Sequence, residues 1–126
     1  MSLKGYGKKF ENSNWLSRDD EVFKKYANDP YCGSSFPISF YKSMFKWAPK
    51  NNKGIKNIPL DTDILIIVGS KDPVSKNARL AKRLNKKYTN HCLKSEIIVY
   101  PDARHELLNE TNKEEVLNDI FNFFKK

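Results

Sequence analysis

DILIIVG, residues 63–69, decides the fold. Five consecutive apolar residues, Ile64 to Val68, close on Gly69. A strand apolar on both faces is the mark of a central parallel strand covered by helices. Downstream the periodicity changes. From Asn77 to Tyr88, Ala78, Ala81, Leu84 and Tyr88 recur at threes and fours, and Leu80 widens the stripe. Arg79, Lys82, Arg83, Lys86 and Lys87 fill the other face, so the segment predicts an amphipathic helix. EIIVY, residues 96–100, predicts a second short buried strand, stopped by Pro101. Thr111 and Glu114 have capping-box spacing. They open a last helix with Val116, Leu117, Ile120, Phe121 and Phe124 on one face. Glu114 and Glu115 at its start, and Lys125 and Lys126 at its end, suit the helix dipole. Strand, helix, strand, helix is a βαβα unit, which predicts a parallel sheet with right-handed crossovers.

Upstream the pattern is weaker. Residues 1–36 hold turn formers and the aromatics Phe10, Trp15, Phe23, Tyr26 and Tyr31. Within them SRDDEVFKKYAND predicts a short helix, with Ser17 as N-cap and Asp19, Asp20 and Glu21 in the first turn, ended by Asp29-Pro30. ISFYKSMFK, residues 38–46, predicts a second helix stopped near Pro49, and PKNNKGIKN predicts a polar loop. The chain therefore divides into an irregular segment, 1–36, and an α/β part, 37–126.

Composition narrows the functional classes. The chain has 126 residues and a formal net charge of +8. Lys and Arg are scattered as single residues and pairs, with no run of five like charges and no nucleic-acid-binding motif. A basic surface is the better reading than a specific nucleic-acid site. No apolar run approaches the ~20 residues of a membrane span. The leading MSLKGYGKKF has no apolar core of a signal peptide, MSL itself receives no structural weight, and a cytoplasmic location is expected. Cys32 and Cys92 lie far apart with no metal-ligand spacing, so reduced thiols are expected and no zinc site.

In open parallel sheets, sites form beyond the carboxyl ends of the strands. Two segments lie there: GSKDPV, residues 69–74, and PDARHE, residues 101–106. Each carries one residue of chemical interest, Asp72 and His105, a similar distance past its strand. A carboxylate holding an imidazole in one tautomer is the supporting half of a nucleophilic triad. In α/β-hydrolases the triad runs Ser, then Asp, then His, and the two present here keep that order. Blander readings stand beside this one. Asp72 can cap the helix that follows. A lone His is by default a surface loop residue. His91 sits in a polar turn and reads as solvated. Arg104 and Glu106 read as partners in local salt bridges, Ser70 and Ser75 as turn residues, and Cys32 as a small buried hydrophobe.

With those residues quoted, DILIIVGSKDPV…SEIIVYPDARHELLNETNKEEV resembles the C-terminal part of an α/β-hydrolase. It is most similar to the lysophospholipase and monoacylglycerol lipase-like serine hydrolases, whose relatives include serine aminopeptidases. In that family a G-x-x-D-P-V segment holds the triad Asp and a Y-P-x-A-R-H-E segment the triad His. The resemblance thus implies these roles for Asp72 and His105. NDPYCG and the aromatic zone around it resemble the end of the family's cap. One departure is Asp102, where relatives often carry Gly; it leaves a second carboxylate near the His.

A larger departure is the missing nucleophile elbow, G-x-S-x-G. The nearest string, Cys32-Gly33-Ser34-Ser35-Phe36, lacks the second Gly and follows no buried strand. No HGxx-type oxyanion segment occurs either. The chain reads as the C-terminal portion of a serine ester hydrolase: cap end, then the last strands and helices. The resemblance implies a small ester or lipid substrate for the complete enzyme and no cofactor or metal. The 126 residues alone are expected not to turn over esters. Residues 64–68 would lack a neighbouring strand, which predicts self-association, as a homodimer, through an exposed sheet edge. The alternative reading is a truncated or split hydrolase acting as a non-catalytic binding or interaction module.

Overall fold

The computed structural model describes residues 14–32, 36–51 and 54–126. Phe10, the leading MSL and Gly33–Ser35 of the elbow-like string lie outside the described residues. The chain runs α1 (Asp20–Asn28), α2 (Ile38–Asn51), a 3₁₀ turn (Gly54–Asn57), β1 (Asp63–Gly69), α3 (Arg79–Thr89), β2 (Lys94–Tyr100), a second 3₁₀ turn (Leu107–Asn109) and α4 (Lys113–Phe124). β1 and β2 are parallel, in register from Asp63 opposite Lys94 to Gly69 opposite Tyr100. The fold is therefore α/β, with the expected βαβα order.

Tyr100, Ala103, Leu107 and Val116 form the central core, with Ile67, Ile98 and Ile120 packed against it. Each large apolar side chain fully removed from water contributes about 1.5–3 kcal/mol, so this small cluster dominates the stability of the sheet end. α4 sits on it because Val116, Ile120 and Phe123 fall on one helical stripe and are buried or half-buried. Leu117, Phe121 and Phe124 make the adjacent stripe and stay exposed. The single apolar face expected for this helix is thus split in two. α3 behaves alike: Ala78, Ala81, Asn85 and Tyr88 face inward, while Leu80 and Leu84 are exposed. Asn85 earns its inward place by accepting a 2.7 Å hydrogen bond from Ser95 Oγ at the start of β2.

Full burial of β1 is not observed. Only Val68 and Gly69 are buried; Ile64 to Ile67 are half-exposed. The reason is topological, because β1 has one neighbour, β2, among the described residues. Four local expectations also fail. Asp19, not Ser17, caps α1: its Oδ1 accepts from Glu21 N at 2.9 Å. The Ser17 hydroxyl is buried and donates to Asn109 O at 2.6 Å. α2 continues past Pro49 to Asn51. No capping box forms at Thr111, since Asn112 holds the N-cap position of α4 without a side-chain cap bond. Its Oδ1 instead accepts from Arg18 Nη2 at 2.5 Å. Cys32 is half-exposed rather than buried, and both cysteines are free thiols.

Candidate active site

Two loops leave the carboxyl ends of the paired strands and are stitched together. Ser70 N donates to Tyr100 O at 2.9 Å, Lys71 N to Ala103 O at 2.9 Å, and Asp102 N to Ser70 Oγ at 2.8 Å. Gly69 lets them meet: a Cβ there would lie 2.2 Å from the carbonyl oxygens of Ala103 and Arg104.

This stitching brings Asp72 to His105. Asp72 Oδ1 and His105 Nδ1 are 3.0 Å apart. Asp72 is buried, with 7 % of its side chain exposed, and the His105 side chain is 37 % exposed. A carboxylate only accepts, so in this contact Nδ1–H is the donor. Asp72 is itself fixed by backbone donors, Val74 N to Oδ1 at 2.9 Å and Ser75 N to Oδ2 at 3.1 Å. The capping reading of Asp72 is therefore true as well, for the turn that leads through the left-handed residues Lys76, Asn77 and Ala78 into α3. Asp102 is exposed, and it meets Ser70 through its backbone N–H, which donates to Ser70 Oγ. Of the two carboxylates near the imidazole, Asp72 makes the hydrogen bond.

His91 is exposed, with Nδ1 2.9 Å from Lys87 O, and Ser70 and Ser75 hold turns. Arg104 and Glu106, expected in local salt bridges, make hydrogen bonds instead. Arg104 donates from Nη1 to Ser17 O at 2.9 Å and to Asn14 O. Glu106 accepts from Asn109 Nδ2 at 2.8 Å, and its backbone N donates to Leu16 O at 2.7 Å.

Three residues at this site carried no sequence signal. Trp15 places its ring 5.3 Å from the His105 ring, centroid to centroid, tilted by 34°. Arg18 and Glu110 form an ion pair at 2.8 Å in which the Glu110 side chain is fully buried. Burial by itself raises the Glu110 pKa. Hydrogen bonds from the Arg18 side chain and from the backbone of Arg104 and Arg18, with the Arg18 charge, outweigh it and hold the carboxyl below the ordinary glutamate value. A pair 92 residues apart shows in no local pattern.

Among the described residues, no group of His, Cys, Asp and Glu side chains is arranged to hold a metal ion. No helix among them is long and apolar enough to cross a membrane.

No curated protein matches the chain. Among solved structures, a highly thermostable carboxyl esterase from Bacillus coagulans, in complex with glycerol, superposes with a TM-score of 0.76 at 21% identity. The match covers 99% of this chain and 46% of the esterase chain. This chain therefore spans about half the length of that structure. The sequence model of the family described as serine aminopeptidase, S33, matches residues 4–112. The chain belongs to the serine aminopeptidase S33 family of α/β-hydrolases.

Proposed function

We propose that the chain carries the acid–base half of a serine ester hydrolase of the lysophospholipase or monoacylglycerol lipase type. The single observation that carries the reading is the 3.0 Å contact between Asp72 and His105 beyond two parallel strand ends. In this reading His105 Nε2 takes the proton of a serine hydroxyl as it attacks an ester carbonyl, then delivers it to the leaving alkoxide. Asp72 holds the ring through Nδ1 and stabilises the imidazolium. The sequence contains no G-x-S-x-G, so the serine and the oxyanion donors come from polypeptide outside these 126 residues. Residues 1–36 would belong to the cap and 37–126 to the hydrolase core. The substrate is a small ester or lipid, and the cytoplasm is the expected compartment.

Antibody capture of the native species from source cells, followed by fluorophosphonate labelling, tests the reading. Labelling of a serine in a polypeptide continuous with, or bound to, this chain is expected. Captured material that never labels would overturn it.

The half-exposed β1 favours a second element of the reading, self-association of the isolated chain through its sheet edge. Sedimentation at micromolar concentration should give a dimer; a stable monomer would remove this element.

A further inference from the structure

We propose that Glu110 is a positioning residue for His105, acting through a clamp that closes residues 14–18 over the imidazole. The clamp starts from one buried carboxylate with four donors. Oε1 accepts from Arg104 N at 2.6 Å. Oε2 accepts from Arg18 Nε at 2.8 Å, Arg18 N at 3.3 Å and Thr111 N at 3.2 Å. One anion therefore ties the residue just before His105 to a segment some ninety positions upstream. A buried charge with this many donors is firmly placed, because releasing any donor leaves the carboxylate underpaired at a cost.

The rest of the clamp makes that tie felt at the ring. The Arg104 guanidinium binds the carbonyls of Asn14 and Ser17, which turns the upstream segment over the loop. His105 N and Glu106 N then donate to Trp15 O and Leu16 O, at 3.4 and 2.7 Å. The result lays the Trp15 indole against the imidazole. Asp72 restrains the ring at one atom, Nδ1. Trp15 supplies a wall, and Glu110 holds the wall's backbone in place. Arg18 also reaches Asn112 Oδ1, so the start of α4 is tied into the same unit.

The importance of the clamp for chemistry rests on the reading of His105 as the acid–base group; its geometry does not. The test is proton NMR of the full 126-residue chain. In wild type, nuclear Overhauser contacts join the Trp15 indole to the His105 ring, alongside cross-strand contacts between β1 and β2. In Glu110→Gln the Trp15–His105 contacts should vanish while the β1–β2 contacts remain. Arg18→Ala, at a part-exposed side chain, should do the same if Glu110→Gln fails to fold. Ring contacts at wild-type intensity in a folded variant would overturn the proposal. Loss of the β1–β2 contacts in both variants would also overturn it, by assigning the network to stability alone. Because the readout needs no turnover, its failure is separate from failure of the hydrolase reading, which the fluorophosphonate experiment reports.

Discussion

Gly69 and Ala103 stand so close that no side chain fits between them: a Cβ on Gly69 would meet the Ala103 carbonyl oxygen at 2.2 Å and its carbon at 2.5 Å. The obstacle is backbone, which cannot swing aside as a flexible side chain would. Gly69→Ala should therefore push the Asp72 and His105 loops apart. Overpacking of this kind costs about 1–3 kcal/mol. Urea denaturation should show a lowered midpoint, and the Asp72–His105 contact should be weakened even where the fold survives. An unchanged midpoint would mean that the two loops are not held against each other.

Asp72 and Asp102 make opposite predictions. Asp72→Asn exchanges the carboxylate facing Nδ1 for an amide, which can leave the imidazole in the wrong tautomer. In the complete enzyme kcat should fall by about 10⁴-fold, the scale known for this change in serine proteases. Asp102→Asn should leave kcat unchanged, because its contact with Ser70 is made by the backbone. Steady-state kinetics of both variants decides between the carboxylates, and an equal loss in both would remove Asp72 from its special role.

Glu110 predicts how the chain responds to acid. Its folded pKa lies below the ordinary glutamate value of about 4.3. Its contribution to stability is therefore complete above that value and is lost as pH falls through the lower folded one. Glu110→Gln removes that dependence. Urea midpoints measured from neutral pH downward should fall less steeply in the variant, and parallel curves would contradict the assignment.

Tyr100 predicts the alkaline limb. Burial first, then the 2.8 Å hydrogen bond to Asp119, raise its pKa above the ordinary tyrosine value of about 10. A raised folded value means stability that is fully present below the ordinary one and lost as pH climbs through the folded one. Tyr100→Phe should cost roughly 1 kcal/mol at neutral pH, the net worth of one hydrogen bond. The difference between the two proteins should shrink in strong alkali. A difference that stays constant with pH would separate the phenol from the effect.

What the sequence made legible was the part governed by short-range pattern. Ile64 to Val68 and Ile97 to Tyr100 announced strands, the basic stripe from Arg79 to Lys87 a helix, and the strand ends marked Asp72 and His105. Helix ends were harder. Ser17 and Asp19 are both good caps; Asp19 caps the helix, while the Ser17 hydroxyl accepts from Asp19 N and donates to Asn109 O, far away in sequence. Thr111 lost its capping box in the same manner, once Asn112 and Glu110 were drawn to Arg18. Burial was harder again. The apolar stripes of α3 and α4 each carried more hydrophobic width than a two-stranded sheet covers. No local rule could report the clamp, since its charges sit at opposite ends of the chain.

That separation bears on the order in which the molecule assembles. Joining Arg18 to Glu110 closes a loop of about ninety residues, whereas β1 and α3 meet β2 over a much shorter stretch of chain. Loop-closure entropy grows with length, and distant contacts are slow to form. The strands should pair first and the upstream segment should arrive last, bringing Trp15 with it. In stopped-flow refolding of a Trp47→Phe variant, indole fluorescence should lag the far-ultraviolet circular dichroism. The imidazole would then be the final element to find its place, and a chain caught before that moment would hold its sheet but offer no fixed base.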